Sequence, residues 1–139
     1  MKRFHMHIAV DNLQDNIHFY SALFGTEPTI SKPDYAKWML DDPLINFAIS
    51  ARGAKPGLDH VGIQVDSDES LYEINQRLAQ AHLPAAEQKS AQCCYAASNK
   101  YWTVDPQGIA WEAFHSLTTI PTFGQDTSIP VKTKSCCAG

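Results

Sequence analysis

One short pattern occurs twice in the chain, at positions 55 residues apart. Residues 5–11 are His-Met-His-Ile-Ala-Val-Asp, and residues 60–66 are His-Val-Gly-Ile-Gln-Val-Asp. Both follow the template His, apolar, any residue, Ile, any residue, Val, Asp, whose alternation is typical of a half-buried β-strand. Because this spacing is close to half of the chain once its last residues are set aside, the repeat predicts two modules with the same fold.

Each copy of the pattern is followed by a predicted amphipathic helix. Apolar residues spaced three and four apart predict a helix over Leu13–Phe24, which Gly25 would end. The same spacing predicts a second helix over 67–82, with Ser67 or Asp68 as its N-cap. Two helices at equivalent places support the prediction of two modules.

Short runs of strand-forming residues come after each helix. In the first module they cover 29–30, 35–40 and 44–50, and in the second they cover 86–89, 93–98, 101–104 and 109–114. An Asp-Pro turn precedes the last run of each module, at Asp42-Pro43 and at Asp105-Pro106. Each module is therefore predicted to have the element order β-α-β-β-β.

These elements predict an α+β fold in which two βαβββ modules form a curved mixed sheet around a metal-binding cavity. The predicted domain covers residues 1–116, with modules at about 3–51 and 58–116. Residues 117–139 show little periodicity and are predicted to be a largely flexible C-terminal extension. Whether the two modules pair within one chain or exchange between two chains stays open.

Charge and composition argue against several classes of partner. A formal charge of −4, without any cluster of Lys and Arg, argues against nucleic acid. No apolar run approaches the ~18 residues that cross a bilayer, and His5 and His7 interrupt the N-terminal segment where a secretory signal would lie. We therefore expect a cytoplasmic protein that acts on a small molecule, without nucleic acid or membrane as a partner.

The histidines that begin both copies of the repeat are candidate metal ligands. His5 and His60 lie near the start of two equivalent strands. If the modules pack about a pseudo-two-fold axis, equivalent positions meet near that axis, so these two imidazoles would lie close together. A lone histidine in a strand is more often a hydrogen-bonded structural residue, but matched positions in a repeat favour a shared role as ligands.

Glu112 is the third candidate ligand, in the last predicted strand. A carboxylate within a sheet is costly to bury unless a cation binds it. The matching position of the first module falls near Asn46 or Ala48, and neither is acidic. We therefore predict that the catalytic centre is a divalent metal held by His5, His60 and Glu112. Two imidazoles and one carboxylate leave open coordination positions and suit Fe(II).

Other reactive side chains permit more than one interpretation. Cys93 and Cys94 are either small strand residues or a thiol pair at the cavity mouth that holds a soft ion, and the sequence favours neither. Lys100 could attract an anionic substrate, although an exposed lysine is the commoner case. Cys136 and Cys137 could capture a soft metal or have no role. The remaining histidines have no match in the repeat and are assigned to surface or supporting positions: His7, His18, His82 and His115.

The repeated module with these ligands resembles the vicinal oxygen chelate superfamily of glyoxalases, bleomycin-resistance proteins and extradiol dioxygenases. The resemblance covers about residues 3–116. Residues 19–28, 32–36 and 93–112 are similar to the branch of cadmium-induced proteins and ArsI-type carbon–arsenic lyases. The Cys-Cys-Tyr-Ala sequence that begins at residue 93 is the most specific feature, because a generic superfamily member would not be expected to carry it.

The resemblance implies a non-haem Fe(II) enzyme, expected as a homodimer, that uses dioxygen to cleave the carbon–arsenic bond of trivalent organoarsenicals. Cys93 and Cys94 would bind the arsenic, with Lys100 as a further substrate-binding residue. This branch often has Gln where His5 stands, which leaves the identity of the metal open. Two alternatives remain: a non-catalytic protein that sequesters cadmium or arsenic through its thiols, and another enzyme of the glyoxalase and dioxygenase superfamily.

Overall fold

The chain forms the order β-α-β-β-β twice, and the described strands join one sheet. The computed structural model describes residues 1–119, 121 and 124. The elements of the first module are β1 (Arg3–Ala9), α1 (Leu13–Phe24), β2 (Ile30–Lys32), β3 (Tyr35–Asp41) and β4 (Leu44–Ser50). Those of the second are β5 (Gly57–Val65), α2 (Asp68–Gln80), β6 (Ala86–Cys93), β7 (Ala96–Val104) and β8 (Ala110–Thr119). The predicted α+β fold with two βαβββ modules is confirmed.

The strand order in the sheet is β2-β3-β4-β1-β5-β8-β7-β6. Each module therefore forms one half of the sheet, and the two first strands meet at the centre. β1 pairs antiparallel with β5 of the same chain, with His5 opposite Gly62 and His7 opposite His60. The question that the sequence left open is answered for this structure, because the modules pair within one chain.

Both helices pack on one face of the sheet and leave the other face for the cavity. Asn12 caps α1 through its side chain, Ser67 caps α2, and Gly25 ends α1 in the left-handed conformation at φ 70°. Along β4, Phe47 packs with α1, whereas the next residue, Ala48, packs with a separate cluster beside the cavity. This alternation is the two-residue period of a strand.

The predicted strand at 93–98 is wrong. Cys94 and Tyr95 form a turn, with φ values of 56° and 61°, between the end of β6 at Cys93 and the start of β7 at Ala96. Two left-handed residues in a two-residue hairpin loop match the twist of the strands that they join. The cysteine pair therefore lies at the tip of a hairpin, with Cys93 as the last residue of β6 and Cys94 in the turn.

The last strand is longer than the sequence predicts. β8 continues to Thr119, beyond the predicted domain boundary at 116, because its end pairs with the start of β7. Further along, Gly124 lies against the same hairpin, and a Cβ on it would lie 2.2 Å from the carbonyl oxygen of Gln92. Most of the remaining predicted extension, including Cys136 and Cys137, lies outside the described residues. Among those that are described, no helix is long and apolar enough to span a membrane.

Gly62 marks a close approach between β5 and β8 that a larger residue would prevent. A Cβ on Gly62 would lie 2.2 Å from the backbone oxygen of Glu112. We expect Gly62→Ala to push β8 away and lower the free energy of unfolding by about 1–3 kcal/mol, the usual cost of overpacking. Urea denaturation measures this change. An unchanged midpoint would contradict the close approach of β5 and β8 at Gly62.

Candidate metal centre

Three of the predicted site residues converge at the centre of the sheet. His5 Nε2 lies 3.1 Å from His60 Nε2. Glu112 Oε1 lies 3.7 Å from His5 Nε2 and 3.6 Å from His60 Nε2. Neighbouring ligands of an ion to which each bonds at about 2.1 Å stand roughly 3 Å apart. Small side-chain shifts would therefore let all three atoms reach one ion.

The pairing of the strands explains this convergence. His5 and His60 lie on the two central strands, one from each module, and all three side chains line one cavity. Glu112 comes from β8, where it pairs with Gly62 of the parallel neighbour β5. His7 pairs with Ala48 in the equivalent arrangement of the first module, so Ala48, and not Asn46, is the position that matches Glu112.

Hydrogen bonds fix the orientation of both imidazoles. His5 Nδ1 donates to the backbone oxygen of Asn46 at 3.0 Å, and His60 Nδ1 donates to Asp59 Oδ2 at 2.7 Å. Each ring is thereby turned so that its Nε2 faces the other ring. This arrangement, with Nδ1 held by an oxygen and Nε2 available, is the usual one for histidines that bind metals.

Lys100 forms a buried ion pair with the candidate carboxylate ligand. Its Nζ donates to Glu112 Oε2 at 2.7 Å, and both side chains are almost completely buried. Lys100 is therefore not the exposed lysine of the commoner case, and its predicted contact with the substrate stays a prediction. Since Oε2 is engaged by Lys100 and Oε1 faces the histidines, we infer that Lys100 orients Glu112 for binding a metal through one oxygen.

Burial and neighbouring charges set the protonation of the centre. Burial lowers the pKa of His5 to about 4, and the positive charge of His60 adds to this effect. Burial also acts to lower the pKa of His60, but its hydrogen bonds to Asp59 and Glu112 outweigh this and raise the pKa to about 9. Burial acts to raise the pKa of Glu112, yet the charge of Lys100 and the bond from His60 hold it well below its usual range. His5 and Glu112 are thus already in metal-binding forms at neutral pH.

The position of His7 differs most from the sequence-based assignment among the histidines. It is 1% exposed and lines the same cavity, so the surface interpretation is wrong for this histidine. Two-residue alternation along β1 puts His7 on the same face as His5, and this signal was present in the sequence. His18 and His82 are exposed, as the surface assignment expects, and half-buried His115 bonds to Asp68 at 3.0 Å.

The cysteine pair lies in the wall of the same cavity. Cys93 and Cys94 line it together with the three candidate ligands and Lys100, and the two Sγ atoms lie 3.2 Å apart. The side chain of Cys93 is buried among Tyr35, Ala48, Trp102 and Ala110. Both cysteines therefore lie at the cavity, and their role as ligands of a soft ion stays a prediction.

Side-chain contacts join the turn of the β6–β7 hairpin to the turn between β2 and β3, at the opposite end of the sheet. Tyr95 donates a hydrogen bond from its hydroxyl to Asp34 Oδ1 at 2.5 Å, and Arg52 pairs with the other oxygen of Asp34 at 2.6 Å. The rings of Tyr35 and Tyr95 lie 5.6 Å apart, and Lys32 Nζ lies 5.4 Å from the centre of the Tyr95 ring. The edge strands of the two modules therefore close over the cavity beside the cysteines.

A sheet built from two βαβββ modules, with histidines at their junction, defines a known class of protein. The chain belongs to the Glyoxalase/Bleomycin resistance protein/Dioxygenase superfamily, whose family model matches residues 2–113. It is 42% identical over 123 residues to the trivalent organoarsenical cleaving enzyme of Bacillus sp. (strain MD1), covering 86% of this chain and 76% of the relative. It is 33% identical to the cadmium-induced protein CadI of Mycobacterium tuberculosis, covering 100% of this chain and 95% of the relative. The predicted family and branch are confirmed.

Solved structures share the fold at low sequence identity. The 2,3-dioxygenase LapB from Pseudomonas sp. KL28 matches with a TM-score of 0.64 and 20% identity, over 85% of this chain and 42% of that chain. The Mn(II)-bound glyoxalase from Novosphingobium aromaticivorans matches with a TM-score of 0.61 and 14% identity, over 86% and 42%. This chain thus spans about two fifths of these longer proteins, and the likeness is one of fold.

Replacing Lys100 tests whether it compensates the buried charge of Glu112. We expect Lys100→Met to lower the free energy of unfolding of the metal-free protein by about 3–5 kcal/mol, because a buried carboxylate loses its partner. A divalent metal should restore more stability to this variant than to the wild type, since the ion also neutralises Glu112. Thermal unfolding with EDTA and with Co(II) measures both effects.

Lys89→Met is the matched control for this experiment. The side chain of Lys89 is 76% exposed, and it stands 4.0 Å from Glu87. An exposed pair of this kind contributes less than about 1 kcal/mol, so the control should unfold like the wild type. Equal behaviour of the two lysine variants would contradict the role given to Lys100.

Proposed function

We propose that this protein is a non-haem Fe(II) enzyme that uses dioxygen to cleave the carbon–arsenic bond of trivalent organoarsenicals. The observation that carries the proposal is that one cavity holds both a His-His-carboxylate centre and two adjacent cysteines. Relatives named as trivalent organoarsenical cleaving enzymes, at 42% and 34% identity, support the substrate class. Their names also support the assignment of this chain as an enzyme.

His5, His60 and Glu112 are the proposed ligands of the iron. Two nitrogen donors and one carboxylate oxygen fit Fe(II), and the bound ion would supply the open positions that dioxygen chemistry needs. Hydrogen bonds from the two Nδ1 atoms keep both Nε2 atoms turned inward, and Lys100 holds the carboxylate. The donor set needs little rearrangement, because the ligand atoms already face one another.

Cys93 and Cys94 are the proposed arsenic-binding groups. Thiolates are the soft ligands that suit a thiophilic ion such as trivalent arsenic. Two sulfur atoms each bonded at about 2.3 Å and separated by 3.2 Å would meet at an angle close to a right angle, which suits a pyramidal arsenic centre. The hydrogen bond of Tyr95 to Asp34 holds the hairpin, so that bound arsenic would lie beside the metal ligands and the reacting groups would be positioned together.

The proposed reaction balances with dioxygen as the only co-substrate. Methylarsonous acid, CH3As(OH)2, and one O2 give arsenous acid, As(OH)3, and formaldehyde. The carbon–arsenic bond breaks, the methyl carbon is oxidised, and dioxygen accepts the four electrons, while arsenic stays trivalent. No further reductant is needed, so oxygen uptake and arsenite release should occur in equal amounts.

A protein that binds cadmium or arsenic without turnover is the second candidate. The same cysteines and the similarity to a cadmium-induced protein favour it. The two candidates differ in their products, because a binding protein would retain the arsenical and consume no oxygen. The cytoplasmic location and the homodimer remain predictions, and the latter can be tested by light scattering.

Oxygen uptake with product analysis tests the proposed activity. The protein is first reduced, then loaded anaerobically with Fe(II) and mixed with methylarsonous acid and air. We expect oxygen, arsenite and formaldehyde in a 1:1:1 ratio through several turnovers. Stoichiometric binding of the arsenical without any oxygen uptake would instead support the second candidate.

Two variants separate the metal from the arsenic site. Glu112→Gln should lose iron, because an amide replaces the charged oxygen ligand, and should retain arsenical binding. Cys93→Ser should weaken the arsenical Kd at least tenfold and leave the iron content at the wild-type level. Iron content is measured by metal analysis and arsenical affinity by titration calorimetry. Unchanged values in either variant would refute the role assigned to that residue.

Metal affinity should rise with pH because of His60. Hydrogen bonds to Asp59 and Glu112 raise its pKa to about 9 in the metal-free protein, so the ring carries a proton that the metal must displace. Below this pKa, we expect the association constant for Co(II) to increase about tenfold per pH unit, as expected for the release of one proton. Calorimetric titrations between pH 6 and 8 in several buffers measure the released proton. An affinity independent of pH would contradict His60 as a ligand.

A further inference from the structure

His7 stands beside the candidate metal centre, although the repeat does not duplicate it. Its ring centre lies 5.1 Å from that of His60 and 6.5 Å from that of His5. One potential ligand nitrogen from each of these three histidines lies within 4.8 Å of the other two. A third imidazole is therefore near enough to share an ion with the first two.

The strand register shows what His7 replaces. In the second module, Gly62 of β5 has Glu112 as its neighbour on β8. In the first module, the equivalent pair is His7 of β1 with Ala48 of β4. In the first module the potential ligand lies on the first strand and the small residue on the last strand of the module. In the second module the small residue lies on the first strand and the potential ligand on the last. The acid missing at Ala48 is matched by an imidazole on the adjacent strand.

The surroundings of His7 hold it in one orientation. Its Nε2 lies 2.8 Å from Ser50 Oγ, and Ser50 is completely buried. If the ring donates its Nε2 proton to that hydroxyl, the lone pair of the neutral imidazole is on Nδ1.

We propose that His7 is a fourth metal ligand, which completes a centre of three histidines and one glutamate. This inference rests on the metal site in the proposed function and adds a residue to it. His5, His7, His60 and Glu112 would then hold the ion, which would supply the dioxygen chemistry that the proposed function needs. Ser50 acts as the positioning residue that turns the His7 ring.

Proton NMR of the Co(II)-loaded protein counts imidazole ligands without any substitution. Each bound histidine whose other nitrogen keeps its proton gives one exchangeable, strongly shifted N–H signal. We expect three such signals in the wild-type protein, one each from His5, His7 and His60. Two signals in the wild-type protein would overturn the inference.

His7→Ala provides the second readout, because alanine offers no ligand atom. The variant should show two shifted signals, a changed visible spectrum of bound Co(II) and a Co(II) Kd about tenfold or more weaker than the wild type. His82→Ala is the matched control, because His82 is exposed and does not line the cavity, and it should behave like the wild type. A wild-type spectrum and affinity in His7→Ala would contradict the inference.

Two further variants distinguish failure of this inference from failure of the proposed function. If His60→Ala and Glu112→Ala lose Co(II) while His7→Ala retains it with wild-type affinity, the three-ligand centre stands and His7 is excluded as a ligand. If none of the three changes Co(II) binding, the metal site itself is wrong, and the proposed function fails with it. Weaker Co(II) binding in all three supports four ligands.

Discussion

The antiparallel pairing of β1 with β5 is the constraint on which the site depends. It joins the two modules about a pseudo-two-fold axis and places His5 Nε2 3.1 Å from His60 Nε2, although the two residues are 55 positions apart. Each module alone provides one of these imidazoles, so neither half could form the centre by itself. The fold therefore creates the candidate metal site at the junction of its duplicated halves.

The two modules differ in the residues that line the candidate centre, and these differences determine which ligand groups it has. At the position of Glu112 the first module has Ala48, so the two matched positions give the candidate centre a single carboxylate. The second module also contributes Lys100, which compensates the charge of Glu112 and orients it. The cysteines lie at a hairpin tip of that module, so they line one cavity together with the candidate metal ligands.

Much of the fold could be predicted because the repeat and the helix patterns are local signals. The convergence of His5 with His60 followed from symmetry alone. The turn at Cys94 and Tyr95 could not be predicted, since neither residue is a glycine and both adopt positive φ. The ion pair of Lys100 with Glu112 could not be predicted either, because it depends on the register between β7 and β8 that only the folded sheet defines.

X-ray absorption at the iron edge distinguishes nitrogen and oxygen ligands of a bound iron from sulfur ligands. The sample is reduced, arsenic-free protein loaded with Fe(II) in the absence of oxygen. We expect nitrogen and oxygen scatterers at about 2.1 Å, with the outer-shell scattering of imidazole rings and without sulfur. Sulfur scatterers at about 2.3 Å would show that the cysteines hold the iron, and would contradict the division of the cavity into a metal centre and an arsenic site.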